Sequence, residues 1–107
     1  MNYPASTKKI PFSRPLVIEN GKELTEVEMR EPLVRDKILF DKHNGGSVDK
    51  ELFTVASLCG LSEKDLFELP SWDYNQLVET MNDFLLLSPA ERMKKWTEEE
   101  NASKSSS

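Results

Sequence analysis

An α+β fold is predicted, an N-terminal antiparallel β-hairpin followed by four or five α-helices packed on its apolar face. Three observations predict it. Apolar residues alternate on both sides of Asn20-Gly21. From Pro32 onward the apolar spacing changes to three and four. Helix-start residues (Ser or Pro ahead of an apolar stripe) then recur down the chain. Period two followed by period 3.6 means strands first and helices after.

Asn-Gly suits a two-residue type I′ turn, in which both positions take positive φ. Such a loop pairs Glu19 with Lys22, Ile18 with Glu23, Leu16 with Thr25, Arg14 with Val27 and Phe12 with Met29. Ile10, Phe12, Leu16, Ile18, Val27 and Met29 then share one face. Ser13, Glu26, Glu28 and Arg30 share the other, where Val17 and Leu24 make an apolar pair beside the turn. Pro11 and Pro15 each remove a ladder donor, so the first strand is expected at an edge.

A first helix is expected from Pro32, with Val34, Ile38 and Leu39 as its apolar face, widened by Leu33 and Phe40, and with Gly45-Gly46 as its end. Ser47 caps a second helix carrying Val48, Leu52, Val55, Ala56 and Cys59, which Gly60 ends. Ser62 with Asp65 opens a short third helix as a capping box, with Leu66 and Phe67 in it and Pro70 after it. Ser71 caps the clearest amphipathic helix, whose stripe is Tyr74, Leu77, Val78, Met81, Phe84 and Leu85. Ser88-Pro89 starts a last, mostly polar helix with Met93 and Trp96 three apart. Residues 1–9 are expected as a flexible basic arm, 10–87 as the folded domain, 88–100 as a C-terminal helix and 101–107 as a disordered Ser-rich tail.

The chain has 107 residues and a net charge of −5. Residues 1–14 carry three bases and no acid, whereas residues 61–88 carry six acids against Lys64 alone. That balance argues against nucleic acid as a partner. The longest apolar run, Phe84 to Leu87, is far below the roughly 20 residues of a membrane span, and no signal-peptide pattern stands at the start. Neither a membrane nor a secretory route is expected. One Cys and one His cannot supply a Cys/His zinc site.

Catalytic chemistry finds no foothold. His43 precedes two glycines in a loop, and Cys59 lies on an apolar stripe. Asp73, Glu79 and Glu98 to Glu100 are carboxylates of polar faces, and no Asp-x-Asp-x-Asp-Gly calcium loop occurs. No catalytic residue, metal or cofactor is expected, and the protein reads as a non-enzyme. Ala56, Gly60 and Leu66 have helix-turn-helix spacing, which makes a small DNA-binding regulator one alternative. Its second helix would hold Glu63, Asp65 and Glu68 against Lys64, a sequence that repels phosphate.

Pro15 to Leu87 resembles the tail assembly chaperones of contractile-tailed bacteriophages and prophages. The resemblance lies in an ordered series: Pro15-Leu16-Val17-Ile18-Glu19-Asn20-Gly21-Lys22; Leu24 to Met29 running into Arg30-Glu31-Pro32; Leu33-Val34-Arg35-Asp36; Asp41 and Gly45-Gly46; Leu58-Cys59-Gly60-Leu61-Ser62 with Asp65-Leu66; and Leu69-Pro70-Ser71-Trp72-Asp73-Tyr74. The arm before Pro15 and the helix after Ser88 lie beyond it. The resemblance implies a chaperone that binds the tape measure protein during tail morphogenesis, in the cytoplasm of the bacterial host, and is absent from the mature virion. Tail tube proteins and further copies of the chain are additional candidate partners, and a structural minor tail or adaptor protein is the other alternative. Candidate protein-binding residues are apolar ones the fold does not obviously need: Val17, Leu24, Phe67, Met93 and Trp96, the last because Trp is enriched in binding hot spots.

Overall fold

The computed structural model describes residues 5–105. Its order is β1 (Thr7–Val17), β2 (Glu23–Arg30), α1 (Val34–Lys42), α2 (Ser47–Cys59), α3 (Glu63–Leu66), α4 (Ser71–Leu86) and α5 (Pro89–Ser105). The architecture is α+β, an antiparallel two-stranded hairpin followed by five helices. Residues 1–4 of the expected arm and 106–107 of the expected tail lie outside the described residues. Lys8 and Lys9 of the expected arm belong to β1, and α5 runs past Glu100 to Ser105.

The hairpin corrects the expected register. Its loop has three residues, Glu19 to Gly21, because Ile18 N donates to the Lys22 carbonyl at 3.0 Å and Gly21 N donates to the Ile18 carbonyl at 2.8 Å. Only Gly21 takes positive φ, at 82°. Asn20 does not; its side chain instead accepts from Lys22 N at 2.9 Å. This is a type I turn closed by a left-handed glycine, and it shifts the pairing by one residue. Leu24 therefore lies opposite Leu16, and Val17 opposite Glu23.

A bulge shifts the register again. Pro11 pairs with Glu26 and Leu16 with Leu24, so Phe12 to Pro15 stand opposite Thr25 alone. Two prolines without N–H groups bracket the unpaired stretch, where a missing ladder donor costs least. The predicted inward face survives both shifts. Ile10, Leu16, Val27 and Met29 are buried, and Phe12 and Ile18 pack against them.

On that face sit Val55, Ala56, Leu58 and Cys59 of α2, Leu66 of α3, Leu69, and Leu77, Met81 and Phe84 of α4. Met29, Val55 and Leu77 are fully excluded from solvent. Gly60, in the left-handed conformation at φ 69°, ends α2. The predicted Ser62–Asp65 box forms at α3, and at α5 the expected start on Ser88 forms one with Glu91. At α2 and α4 the caps fall one residue earlier than expected, on Gly46 and Pro70. The helix after Gly60 is only four residues long, which leaves no recognition helix for a DNA-binding reading.

The first helix departs most from expectation. Leu33, Val34, Ile38 and Leu39 are all exposed, Val34 at 75%, and the residue α1 buries is Asp36. Polar pairing holds this helix in place, not an apolar stripe. Val48 of α2 and Leu85 of α4, also expected inside, are exposed as well.

Candidate functional site

Four side-chain clips fasten the hairpin to the helices. Arg30, at the end of β2, donates to both Asp36 oxygens at 2.8 Å, and Asp36 also accepts from Leu33 N at 2.7 Å. One carboxylate thus caps α1 and ties it to the sheet. The Arg30 guanidinium holds the Asp36 carboxyl below the usual carboxylate range.

Asp73, in the first turn of α4, takes the bulge. It accepts from Ser13 N at 2.9 Å and from Ser13 Oγ at 2.8 Å. The bulge thereby recovers a donor that β2 no longer satisfies. Asp65 accepts from Glu19 N at 2.9 Å, which draws the hairpin turn onto α3.

Arg92, in α5, is buried at 3% exposure. It donates to the Phe84 and Leu87 carbonyls, each at 3.2 Å, to the Ala5 carbonyl at 3.1 Å, and to Glu31 at 2.6 Å. The end of a helix leaves carbonyls without partners, and a guanidinium inserted there satisfies them. Arg30, Glu31, Asp36, Asp65 and Asp73 are therefore structural. Each joins one layer of the fold to another.

The predicted binding residues divide. Val17, Phe67 and Met93 are exposed, at 56%, 66% and 43%. Leu24 is half-buried opposite Leu16. Trp96 is 8% exposed and belongs to the core. Its ring meets Phe84 edge-on at 5.3 Å, its Nε1 donates to Asp83 at 3.0 Å, and the Lys8 ammonium lies 5.1 Å from its ring centre. Lys95 adds a bond to Asp83 at 2.8 Å. Trp96 docks α5 on α4 and β1, and so is taken up by packing.

Several of the remaining exposed apolar residues fall in two regions, which Val48, Leu86 and Met93 do not join. The first lies where the hairpin turn and bulge meet α3 and α4. Val17, Phe67 and the unpredicted Trp72, 62% exposed, each lie within two residues of the Glu19–Asp65 or Ser13–Asp73 contact. The second is a groove of about 510 Å³ between α1 and α4, floored by Thr54 of α2 and lined by Leu33, Val34, Phe40, Met81 and Leu85. The signal for the groove was in the sequence. N-cap Leu33 and the helix residues Val34, Ile38, Leu39 and Phe40 are spread around α1 among five charged residues, so one buried face cannot hold them all.

Among the described residues, no group of three or more His, Cys, Asp or Glu side chains could hold a metal ion. Burial pushes the Cys59 thiol up to about 12, which suppresses the thiolate. The His43 ring accepts from Gly45 N at 2.9 Å and lies 5.0 Å from Phe53, so it shapes the loop between α1 and α2. Burial, then the Glu51 carboxylate that accepts a hydrogen bond from its hydroxyl at 2.9 Å, raise the Tyr74 phenol above its ordinary value. Among the described residues, no helix is long and apolar enough to cross a membrane.

These features define a small α+β protein with exposed apolar residues on its hairpin, α1 and α3–α5. The family model described as "Phage tail assembly chaperone proteins, E, or 41 or 14" matches residues 9–86. That is well over half of the chain, and the chain belongs to this family of phage tail assembly chaperones. None of the curated proteins and none of the solved structures matches it.

Proposed function

We propose that the chain is a non-enzymatic chaperone that holds apolar helical segments of the tape measure protein until the tail tube closes around them. The observation that carries this is the family match over residues 9–86. The exposed Val17, Phe67 and Trp72 supply surface for the task. A tape measure segment exposes an apolar helix face before assembly, and an apolar patch on a soluble carrier can shield it. The net charge of −5 keeps the carrier dispersed while it does so. The task belongs in the host cytoplasm, before the virion is complete.

The test is affinity capture of the tagged chain from cells expressing the whole tail gene cluster, with partners identified by mass spectrometry. The tape measure protein is expected in the eluate. Phe67→Ser and Val17→Ser are expected to reduce its recovery several-fold without lowering the melting temperature, and Met93→Ser tests the α5 surface in the same way. Trp96 is unsuitable as a probe because its loss undocks α5. Recovery of no tail protein, or persistence of the chain in purified virions, would overturn the proposal, the latter in favour of a structural tail component.

A further inference from the structure

We infer that the α1–α4 groove is a self-association site in which α1 of a second copy lies, the two helices running antiparallel about a two-fold axis. This inference is independent of the chaperone reading.

The first argument is that α1 is apolar on two sides. Leu33, Val34 and Phe40 line the groove, whereas Ile38 and Leu39, 48% and 47% exposed, do not. Charged Arg35 and Lys42 share the Ile38–Leu39 side, yet the aliphatic side chains on both sides of α1 are apolar area left in water. An unrelated helix in the groove covers only the first side. A second copy covers both. With each α1 seated in the other's groove, the helices order as α4, partner α1, α1, partner α4. The groove side of each α1 then meets its symmetry mate, and the Ile38–Leu39 side meets the Met81–Leu85 wall of the other copy.

The second argument is charge. Lys37 and Asp41 are exposed groove residues one helical turn apart. Among the described residues neither joins an ion pair. Their order, base before acid, is the weaker one for a pair within a single helix, and an acid in the last turn opposes the helix dipole. About a two-fold axis passing between them, Lys37 of each copy faces Asp41 of the other, twice over. An isologous interface requires this kind of self-complementarity. The acid beside them, Asp36, is already engaged by Arg30 and does not disturb the match.

The experiment is light scattering on a sizing column over a concentration series, with circular dichroism and thermal melting as fold controls. The wild-type chain is expected to pass from monomer to dimer mass as concentration rises. Lys37→Asp places like charges opposite each other at both symmetric positions, and is expected to weaken the dimer more than about tenfold. The double swap Lys37→Asp with Asp41→Lys restores opposite charges and is expected to restore the dimer. Ile38→Ser, on the far side of α1, is expected to weaken it as well, which a heterotypic groove ligand does not predict. A chain monomeric at every concentration would overturn the inference, as would a dimer indifferent to Lys37→Asp. So would a monomer whose capture of a tail protein is abolished by Val34→Glu, since that assigns the groove to a different partner.

Discussion

The seam between hairpin and helices and the outer surface of α1 are built on opposite principles. At the seam, carboxylates and guanidinium groups reach across the sequence: Asp73 to Ser13, Asp65 to Glu19, Arg92 to Glu31 and Ala5. Asp73 and Arg92 are buried and pair with groups that packing has turned away from water, whereas the Asp65–Glu19 bond lies at the exposed rim of the seam. On α1 the arrangement is reversed. One polar clip, Arg30 with Asp36, anchors the helix, and its aliphatic side chains stay outside. A helix held only by apolar packing must spend its apolar face on its own core. A helix held by an ion pair can keep that face for another molecule. Arg30, Glu31, Asp36, Asp65 and Asp73 thus make the scaffold, and the surface they free is a better place to look for partners.

The largest effect is expected at the seam, from Arg92→Leu. The substitution keeps bulk but leaves the Phe84, Leu87 and Ala5 carbonyls and the Glu31 carboxylate without their donor. Removing one partner of a buried pair costs 3–5 kcal/mol, and Glu31, 37% exposed at its side chain, places this site at the lower end, about 3 kcal/mol. Urea unfolding followed by circular dichroism measures it. A loss below about 1 kcal/mol would mean that α5 docks through Trp96 alone.

A smaller effect, visible only in acid, is expected from the α1 clip. The Arg30 hydrogen bonds depress the Asp36 carboxyl in the folded state. A depressed carboxyl contributes stability above its unfolded value, about pH 4, and that contribution drains away as pH falls through the folded value. Asp36→Asn is therefore expected to destabilise the chain at pH 7, and the gap to wild type is expected to narrow below about pH 4. Parallel melting curves from pH 7 to pH 2.5 check this. A gap constant across the range would mean that the Asp36 carboxyl titrates alike in the folded and unfolded chain, and that neither Arg30 nor the Leu33 N–H favours its charged form.

Which parts of this were legible in the sequence follows from how far each interaction reaches. The Ser62–Asp65 and Ser88–Glu91 boxes close within one turn, and both were visible in the chain. So was the inward set Ile10, Leu16, Val27 and Met29, because alternation within a strand survives any register. The register itself was not visible. One shift is local, since Asn20-Gly21 also fits a three-residue loop closed by Gly21; the other is a bulge between two prolines that Asp73, sixty residues from Ser13, holds. Trp96 looked free for the same reason, since the Asp83 that takes its indole N–H lies thirteen residues away. The exposed side of α1 was misassigned because apolar residues at helical spacing are the mark of a core-facing helix. Only the ion pair behind it shows that the core does not need them.

The smallest effect on stability, and the most informative about α1, is expected from Val34→Ser. Val34 is 75% exposed, so the folded monomer loses almost no buried area, and the change in unfolding free energy is expected within about 0.5 kcal/mol. A buried valine in the same chain behaves differently. Val55, at 0% exposure, is expected to lose about 1–3 kcal/mol when changed to Ala, through lost transfer energy and a cavity. Denaturant curves at low protein concentration, where association does not contribute, give the intrinsic pair of values. Repeated at high concentration, Val34→Ser should separate from wild type if α1 is covered by another molecule, because the wild type then gains stability by mass action and the variant does not. If the two curves stay superimposed at both concentrations, α1 contributes nothing to association and its aliphatic side chains are merely tolerated at the surface. If Val34→Ser is as costly as Val55→Ala even at low concentration, α1 packs more deeply in solution than its geometry shows, and the contrast with the seam fails.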